Sequence, residues 1–243
     1  MKRIGLVQTR GIGDIIIALP IADFYIEQGY EVIWPIDQRF IQIFRPVKPS
    51  IQFFPVTDAE GGADYLVNEP ISIIKAHGCE RTIILYSYVN TQQVYDPRLT
   101  ANLKFDEYKY AIAGVPFSRK WTLDYDRQMD REEALYDGLN ITEDYVCVHD
   151  RGSNMTAPFD VPERLTSGLR IIRVEESTDS PLDWRLTLER AARLIMVDSC
   201  LSNLVEQINL ESDKYLMPRA PQQYPPVYKN GWRFIFPPLQ TLE

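Results

Sequence analysis

An aspartate stands where a glycine-bearing turn gives way to a helix. The stretch from Ile4 to Pro20 reads IGLVQTRGIGDIIIALP, with Asp14 as its one acidic residue. A carboxylate in that position can serve as a general base if it comes within hydrogen-bond reach of the proton it takes. Arg10, Gly11 and Gly13 surround it, and the two glycines let the backbone turn sharply at a strand's carboxyl end. A second reading stands beside this one, because Asp14 could instead cap the helix it opens by accepting from first-turn amides. The motif is not the dinucleotide fingerprint: G-I-G-D-I-I lacks the third glycine, and no acidic residue follows a clear second strand at the required distance. Nor does it carry the Gly-Lys-Ser/Thr ending of a P-loop.

A second set of polar residues follows apolar runs late in the chain. YVCVH at 145–149 leads into Asp150, Arg151, Gly152, Ser153 and Asn154; Ile171 to Val174 leads into Glu175, Glu176 and Ser177; Leu194 to Val197 leads into Asp198, Ser199 and then Asn203. If the three runs are neighbouring parallel strands, these groups share one crevice. Arg151 and the amides of the Gly152 turn could hold a diphosphate, since arginine offers a fork of donors and a turn offers more. Glu175 or Glu176 could accept from ribose hydroxyls. Asp198 and Ser199 are also favoured helix caps, and Arg151 alone could be a surface ion-pair partner.

The elements that must position these residues alternate along the chain. Ile4, Leu6 and Val7 suit a buried parallel strand. From Asp14 the spacing of Ile15, Leu19 and Ala22 turns helical, widened by Ile16 and Ile17 and bent at Pro20. Strands are predicted at Glu31 to Trp34, Ile51 to Val56 and Thr82 to Tyr88, with helices at Asp37 to Phe44 and Ile71 to Ala76 and a polar loop at Asp58 to Asp64. Such alternation implies βαβ units and a mostly parallel sheet. Tyr86, Tyr88, Asn90 and Gln93 then fall near a strand's carboxyl end, as acceptor-pocket candidates or as ordinary loop residues. A helix over Asn102 to Ala113 stops at Gly114, and the charged stretch 117–140 reads as a link between residues 1–116 and a second α/β unit at 141–214. That unit holds a helix from Leu182 to Ala192 and another through Leu201, Leu204, Val205 and Ile208. Residues 215–243 combine prolines with Tyr224, Tyr228, Trp232, Phe234 and Phe236, which predicts an extended tail packing back on the first domain.

Composition sets the outer limits. The chain's 243 residues, 45% hydrophobic and 25% charged, describe a globular protein rather than a disordered one. No apolar run approaches the roughly 20 residues needed to cross a bilayer, and the amino-terminal apolar segment is too short for a signal peptide, so a cytoplasmic location is expected. Cys79, Cys147 and Cys200 are widely spaced and odd in number, which fits buried thiols rather than a disulfide framework or a zinc site. The net charge of −8 is spread without a basic block, which disfavours a nucleic-acid partner.

The opening T-R-G-I-G-D-I-I-I-A-L-P resembles the start of the heptosyltransferase-like glycosyltransferases, which commonly read G-D-x-x-x-x-x-P there. D-S-C-L-S-N-L, from Asp198, is similar to their D-S/T-x-x-x-H motif after the last core strand. The resemblance implies an α/β fold of two Rossmann-like domains, the GT-B type, with a cleft between them. It implies inverting transfer of a sugar from a nucleotide-sugar donor to an acceptor glycan or other hydroxyl. Asp14 is then the general base, Glu175 or Glu176 the nucleoside contact, and Asp198 with Ser199 part of the donor-phosphate site. No cofactor or metal is implied, in keeping with the lack of an Asp-x-Asp motif at a predicted strand end. The chain departs from the family pattern in three ways. Asn203 replaces the usual histidine, Arg151 stands in for the family's lysine, and the chain is shorter than a usual member. The missing histidine and the short chain favour one alternative, a non-catalytic nucleotide-sugar binding protein; a phage-type glycosyltransferase of modified DNA bases is a further one, with the net charge against it.

Overall fold

The computed structural model of the chain describes residues 2–57, 64–86, 97–152, 155–156, 160–218 and 225–236. They fall into two compact units, Met1–Arg127 and Gln128–Glu243. The first runs β1 (Lys2–Val7), α1 (Ile12–Glu27), β2 (Tyr30–Asp37), α2 (Gln38–Phe44), β3 (Ile51–Val56), α3 (Glu69–Ala76), β4 (Arg81–Ile84), α4 (Pro97–Asn102) and α5 (Phe105–Ala113), and a 3-10 helix at Phe117–Thr122 follows. Its four strands are all parallel, in the order β3-β2-β1-β4. β1 therefore lies inside the sheet, and the turn after it opens at the sheet's carboxyl edge. α3 can lie close over β1 because residue 5 is glycine: a Cβ there would come 2.3 Å from Ile74 Cγ2.

The periodicity of α1 predicts one apolar face, yet the helix is buried nearly all round from Ile15 to Ala22. It packs against β2 on one side and against α5 and the 3-10 helix on another, so apolar residues at every angle find cover. Each fully buried isoleucine there contributes roughly 1.5–3 kcal/mol. Tyr110 Oη donates to Ile17 O (2.9 Å) and Tyr25 Oη to Ala113 O (2.5 Å), tying α5 to α1. α5 is anchored at its start by a fully buried ion pair, Lys120 Nζ to Asp106 Oδ2 at 2.7 Å.

The second unit runs α6 (Met129–Gly138), β5 (Tyr145–His149), β6 (Arg151–Gly152), β7 (Met155–Thr156), β8 (Arg170–Arg173), α7 (Arg185–Arg190), β9 (Arg193–Val197), α8 (Cys200–Ile208), β10 (Asp213–Met217) and β11 (Trp232–Phe234). Five parallel strands form its main sheet, in the order β11-β10-β9-β5-β8. Val146, Val148, Ile195, Val197, Met217 and Ile235 form one core cluster.

Several element boundaries differ from those read in the sequence. The stretch 117–140 is divided between the units, its 3-10 helix in the first and α6 in the second. The helix expected over Asn102 to Ala113 starts later, as α5 at Phe105, and a separate helix α4 ends at Asn102. The tail segment begins inside β10, and its described aromatic stretch supplies β11, because Trp232 to Phe234 pairs with Lys214 to Leu216. Extended, proline-flanked residues suit an edge strand, where only one side needs ladder bonds. No helix among the described residues is long and apolar enough to cross a membrane.

Candidate functional site

Asp14 occupies the third position of α1, behind a left-handed Gly11 (φ 84°) that begins the helix without a side-chain cap. The aspartate therefore does not cap, although an acidic group in a first turn is favoured by the helix dipole. Its carboxylate folds back over the turn, so that a Cβ at residue 11 would lie 2.5 Å from Asp14 Oδ2. Glycine is required there both for φ and for room. Gly13 lies within the helix, so Gly11 alone makes the turn.

Beneath the turn sits a polar cluster that sequence periodicity does not reveal. Lys109, on α5 and 1% exposed, places Nζ 3.1 Å from Asp14 Oδ1. The same ammonium donates to Gln8 Oε1 at 2.6 Å and to Leu85 O at 3.2 Å. Gln8 Nε2 donates to Arg10 O, and Tyr86 Oη accepts from the amides of Thr9 (2.9 Å) and Arg10 (3.0 Å). The Asp14 side chain remains 30% exposed. No other hydrogen bond reaches its carboxylate among the described residues.

Next to this turn, at the end of β2, Asp37 N donates to Thr9 O at 2.9 Å. The Asp37 side chain caps α2 through Arg39 N and accepts from the Arg39 guanidinium and from Tyr65 Oη. Burial pushes this carboxyl up, but the hydrogen bonds from Arg39 and Tyr65 outweigh it and hold it down at about 2. Arg39 and Arg10 are both exposed at this edge.

The mouth of the second sheet centres on hydroxyl and imidazole groups beside the carboxylate of Asp198. Ser199 caps α8, with Ser202 as its reciprocal partner, and its Oγ lies 2.9 Å from His149 Nδ1 at the end of β5. Burial pushes the imidazole down to about 4 against the pull of Asp150. The ring is therefore neutral at pH 7, with one nitrogen carrying the proton and the other free to accept. Tyr228 Oη donates to Asp198 Oδ1 at 2.9 Å and lies 2.9 Å from Ser202 Oγ. Behind it the fully buried Glu206 accepts from the amides of Lys229 and Asn230 and from Trp232 Nε1. These bonds fix residues 228–232 against α8.

The strand order places the carboxyl ends of β9, β5 and β8 side by side, the arrangement under which their polar residues can share one crevice. Glu175 and Glu176 are exposed just beyond β8, and Asp150 pairs with Arg173. Arg151 and Gly152 do not form an open turn but a short strand paired antiparallel with Met155 and Thr156. Asp198, Ser199 and Asn203 are buried at 8%, 9% and 4% exposure. Asn203 Nδ2 turns back to Ser199 O at 2.8 Å. Tyr86 does not line a pocket: it is fully buried and its hydroxyl is committed to the turn. Tyr88, Asn90, Gln93, Ser153 and Asn154 lie outside the described residues. Sequence reading missed Gln8, Lys109, His149 and Tyr228. His149 had one visible signal, as one of only two histidines and the last residue of a strand. Among the described residues no group of three histidine, cysteine, aspartate or glutamate side chains could hold a metal ion.

No family model and no curated protein sequence matches the chain. Solved structures do. The glycosyl transferase family 9 protein of Veillonella parvula superposes with TM-score 0.67 at 15% identity, over 96% of this chain and 86% of that one. E. coli ADP-heptose LPS heptosyltransferase II superposes with TM-score 0.65 at 9% identity, over 97% of this chain and 90% of that one. E. coli heptosyltransferase WaaC, solved with ADP-2-deoxy-2-fluoro heptose, gives 0.52 at 15% identity over 97% and 93%. Two parallel-sheet units, with an aspartate at the first strand's carboxyl end, thus give this chain the fold of the family 9 glycosyltransferase and heptosyltransferase structures.

Proposed function

We propose that this chain is a glycosyltransferase that moves a sugar from a nucleotide-sugar donor to an acceptor hydroxyl with inversion at the anomeric carbon. The observation that carries the reading is Asp14: a partly exposed carboxylate at the carboxyl end of a central strand, gripped from below by Lys109. In the transfer step Asp14 takes the acceptor's hydroxyl proton as the oxygen bonds to the anomeric carbon. The bond from that carbon to the diphosphate oxygen breaks, and its electron pair leaves with the nucleoside diphosphate. Arg151 and nearby amides oppose the charge that develops on the leaving group, the work a metal does in other enzymes. Glu175 or Glu176 meets the ribose, and the neutral His149 imidazole offers an uncharged polar group beside Ser199. Neighbours of this fold are solved with ADP-heptose or ADP, which makes adenosine diphosphate sugars the first donors to test.

Nucleoside diphosphate release is measured over a panel of nucleotide sugars and acceptors, with thermal stabilisation reporting binding. A donor at about 100 times its dissociation constant adds roughly 2.7 kcal/mol of stability. Release that depends on acceptor and is unchanged by a chelator supports the reading; release abolished by the chelator sinks its metal-free form. A second reading, a binding protein without turnover, is favoured by the buried Asn203, whose side chain bonds back to its own helix where the family usually presents histidine. Stabilisation by a donor that is never consumed would establish it.

A further inference from the structure

We infer that Lys109 is the positioning residue for Asp14, an inference that rests on the transfer reading above. Lysine is almost never fully buried unless paired, and the Lys109 side chain is 1% exposed. An ammonium carries three donors. Here they face Asp14 Oδ1 at 3.1 Å, Gln8 Oε1 at 2.6 Å and Leu85 O at 3.2 Å. Asp14 is the one negative charge among these three, so it is the counter-ion of a buried cation as well as the group at the turn.

The arrangement is rigid because each acceptor is itself held. The Gln8 side-chain amide is oriented by Arg10 O, and the main-chain carbonyl of Gln8 accepts from Trp34 Nε1 at 3.2 Å. Leu85 N donates to Val7 O, extending the pairing of β4 with β1. Phe105 and Tyr86 place their rings 5.3 and 5.9 Å from Nζ, which adds favourable ring contact and excludes water. On its other side the carboxylate is confined by Gly11, toward which Oδ2 packs. With Oδ1 held by Lys109 and Oδ2 beside Gly11, the carboxylate has one orientation at the sheet's mouth.

A neighbouring ammonium does not make a carboxylate a stronger base; what it supplies is geometry. Proton removal needs the carboxylate in near-attack position, and a misplacement of about 1 Å can cost about a hundredfold in rate. The lysine also has a structural consequence. Removing the aspartate charge strands a buried cation, whereas removing both charges does not.

Four proteins test this: wild type, Lys109→Met, Asp14→Asn and the double variant. The expected result for Lys109→Met is a fall in kcat of about ten- to a hundredfold, with donor KM within about twofold of wild type. In thermal melts Asp14→Asn loses several degrees and the double variant regains part of that loss, a non-additivity that two unconnected residues would not show. If Lys109→Met does not fold, Lys109→Gln, which keeps a hydrogen-bonding head without charge, carries the kinetic arm. Wild-type kcat in a folded Lys109 variant overturns the inference, and so do melting shifts that simply add. Absence of turnover in wild type across the donor panel defeats the transfer reading and the positioning role with it, while coupled melts would still establish the ion pair. Retained turnover in Asp14→Asn, with loss in Lys109→Met, would instead overturn the choice of base.

Discussion

The two sheet mouths of this protein have the same origin and different polar groups at their centres. Each is the carboxyl edge of an all-parallel sheet, followed by a tight turn and a helix. At the first, a buried ammonium holds a carboxylate that stays partly open to solvent. At the second, a neutral imidazole, two serines and a tyrosine share hydrogen bonds around a helix start, with Asp198 nearly covered. A fixed charge in contact with solvent suits proton removal. Uncharged donors beside a helix start suit a ligand that brings its own negative charge. One backbone architecture thus supports two chemistries, because parallel sheets leave their strand ends free to carry any side chain.

The largest expected effect comes from the charged mouth. Asp14→Asn should lower turnover by about 10² to 10⁴, the usual contribution of a general base, while donor affinity stays within about twofold. Turnover unchanged in that variant would break the comparison at its root. At the second mouth the corresponding probe is structural. Glu206→Ala leaves two backbone amides and the Trp232 indole without an acceptor. It should cost about 3 kcal/mol in chemical denaturation and weaken donor binding more than acceptor binding. Loss of stability with no change in donor affinity would mean that donor binding does not depend on residues 228–232.

A smaller effect tests the neutral imidazole at the second mouth. His149 titrates at about 4 in the folded chain and near 6.5 unfolded. Above pH 6.5 neither state binds the proton and stability is unaffected. As pH falls from about 6.5 towards 4 the unfolded chain takes up a proton that the folded chain refuses, so stability drops by at most about 1.4 kcal/mol per pH unit. Below about 4 this contribution levels off. His149→Gln should flatten that window in a pH series of denaturant midpoints; a slope that persists belongs to another group. The smallest change is Tyr228→Phe, which removes a hydroxyl bonded to Asp198 and adjacent to Ser202. A loss of about 1 kcal/mol is expected, read by thermal melts, and a loss near zero would mean that water takes over its bonds.

Much of the fold was legible along the chain because its signals are local. β3 and β5 have the bounds their β-branched and aromatic runs predict, and the helix opened by Asp198 and Ser199 begins where a serine cap must place it. Asp14 was legible for the same reason, since a strand, a glycine turn and an acid lie within a dozen residues. The edge strand β11 was not legible, because a proline-flanked aromatic stretch becomes a strand only when a neighbouring strand, here β10, is there to receive it.

The sequence by itself therefore determined the α/β alternation, the glycine at residue 11 and the acid that follows it. Only the tertiary structure decided what those residues mean. Lys109 lies ninety-five positions from Asp14 (109 − 14), on a helix whose pattern gives no reason to single it out, and it meets the aspartate because α5 packs on α1 beside β4. His149 meets Ser199 because β5 and β9 are neighbours in a parallel sheet. Periodicity reports which face of an element is apolar. It cannot report which buried polar groups face one another, because that depends on strand order and helix packing, and those are set by the fold as a whole.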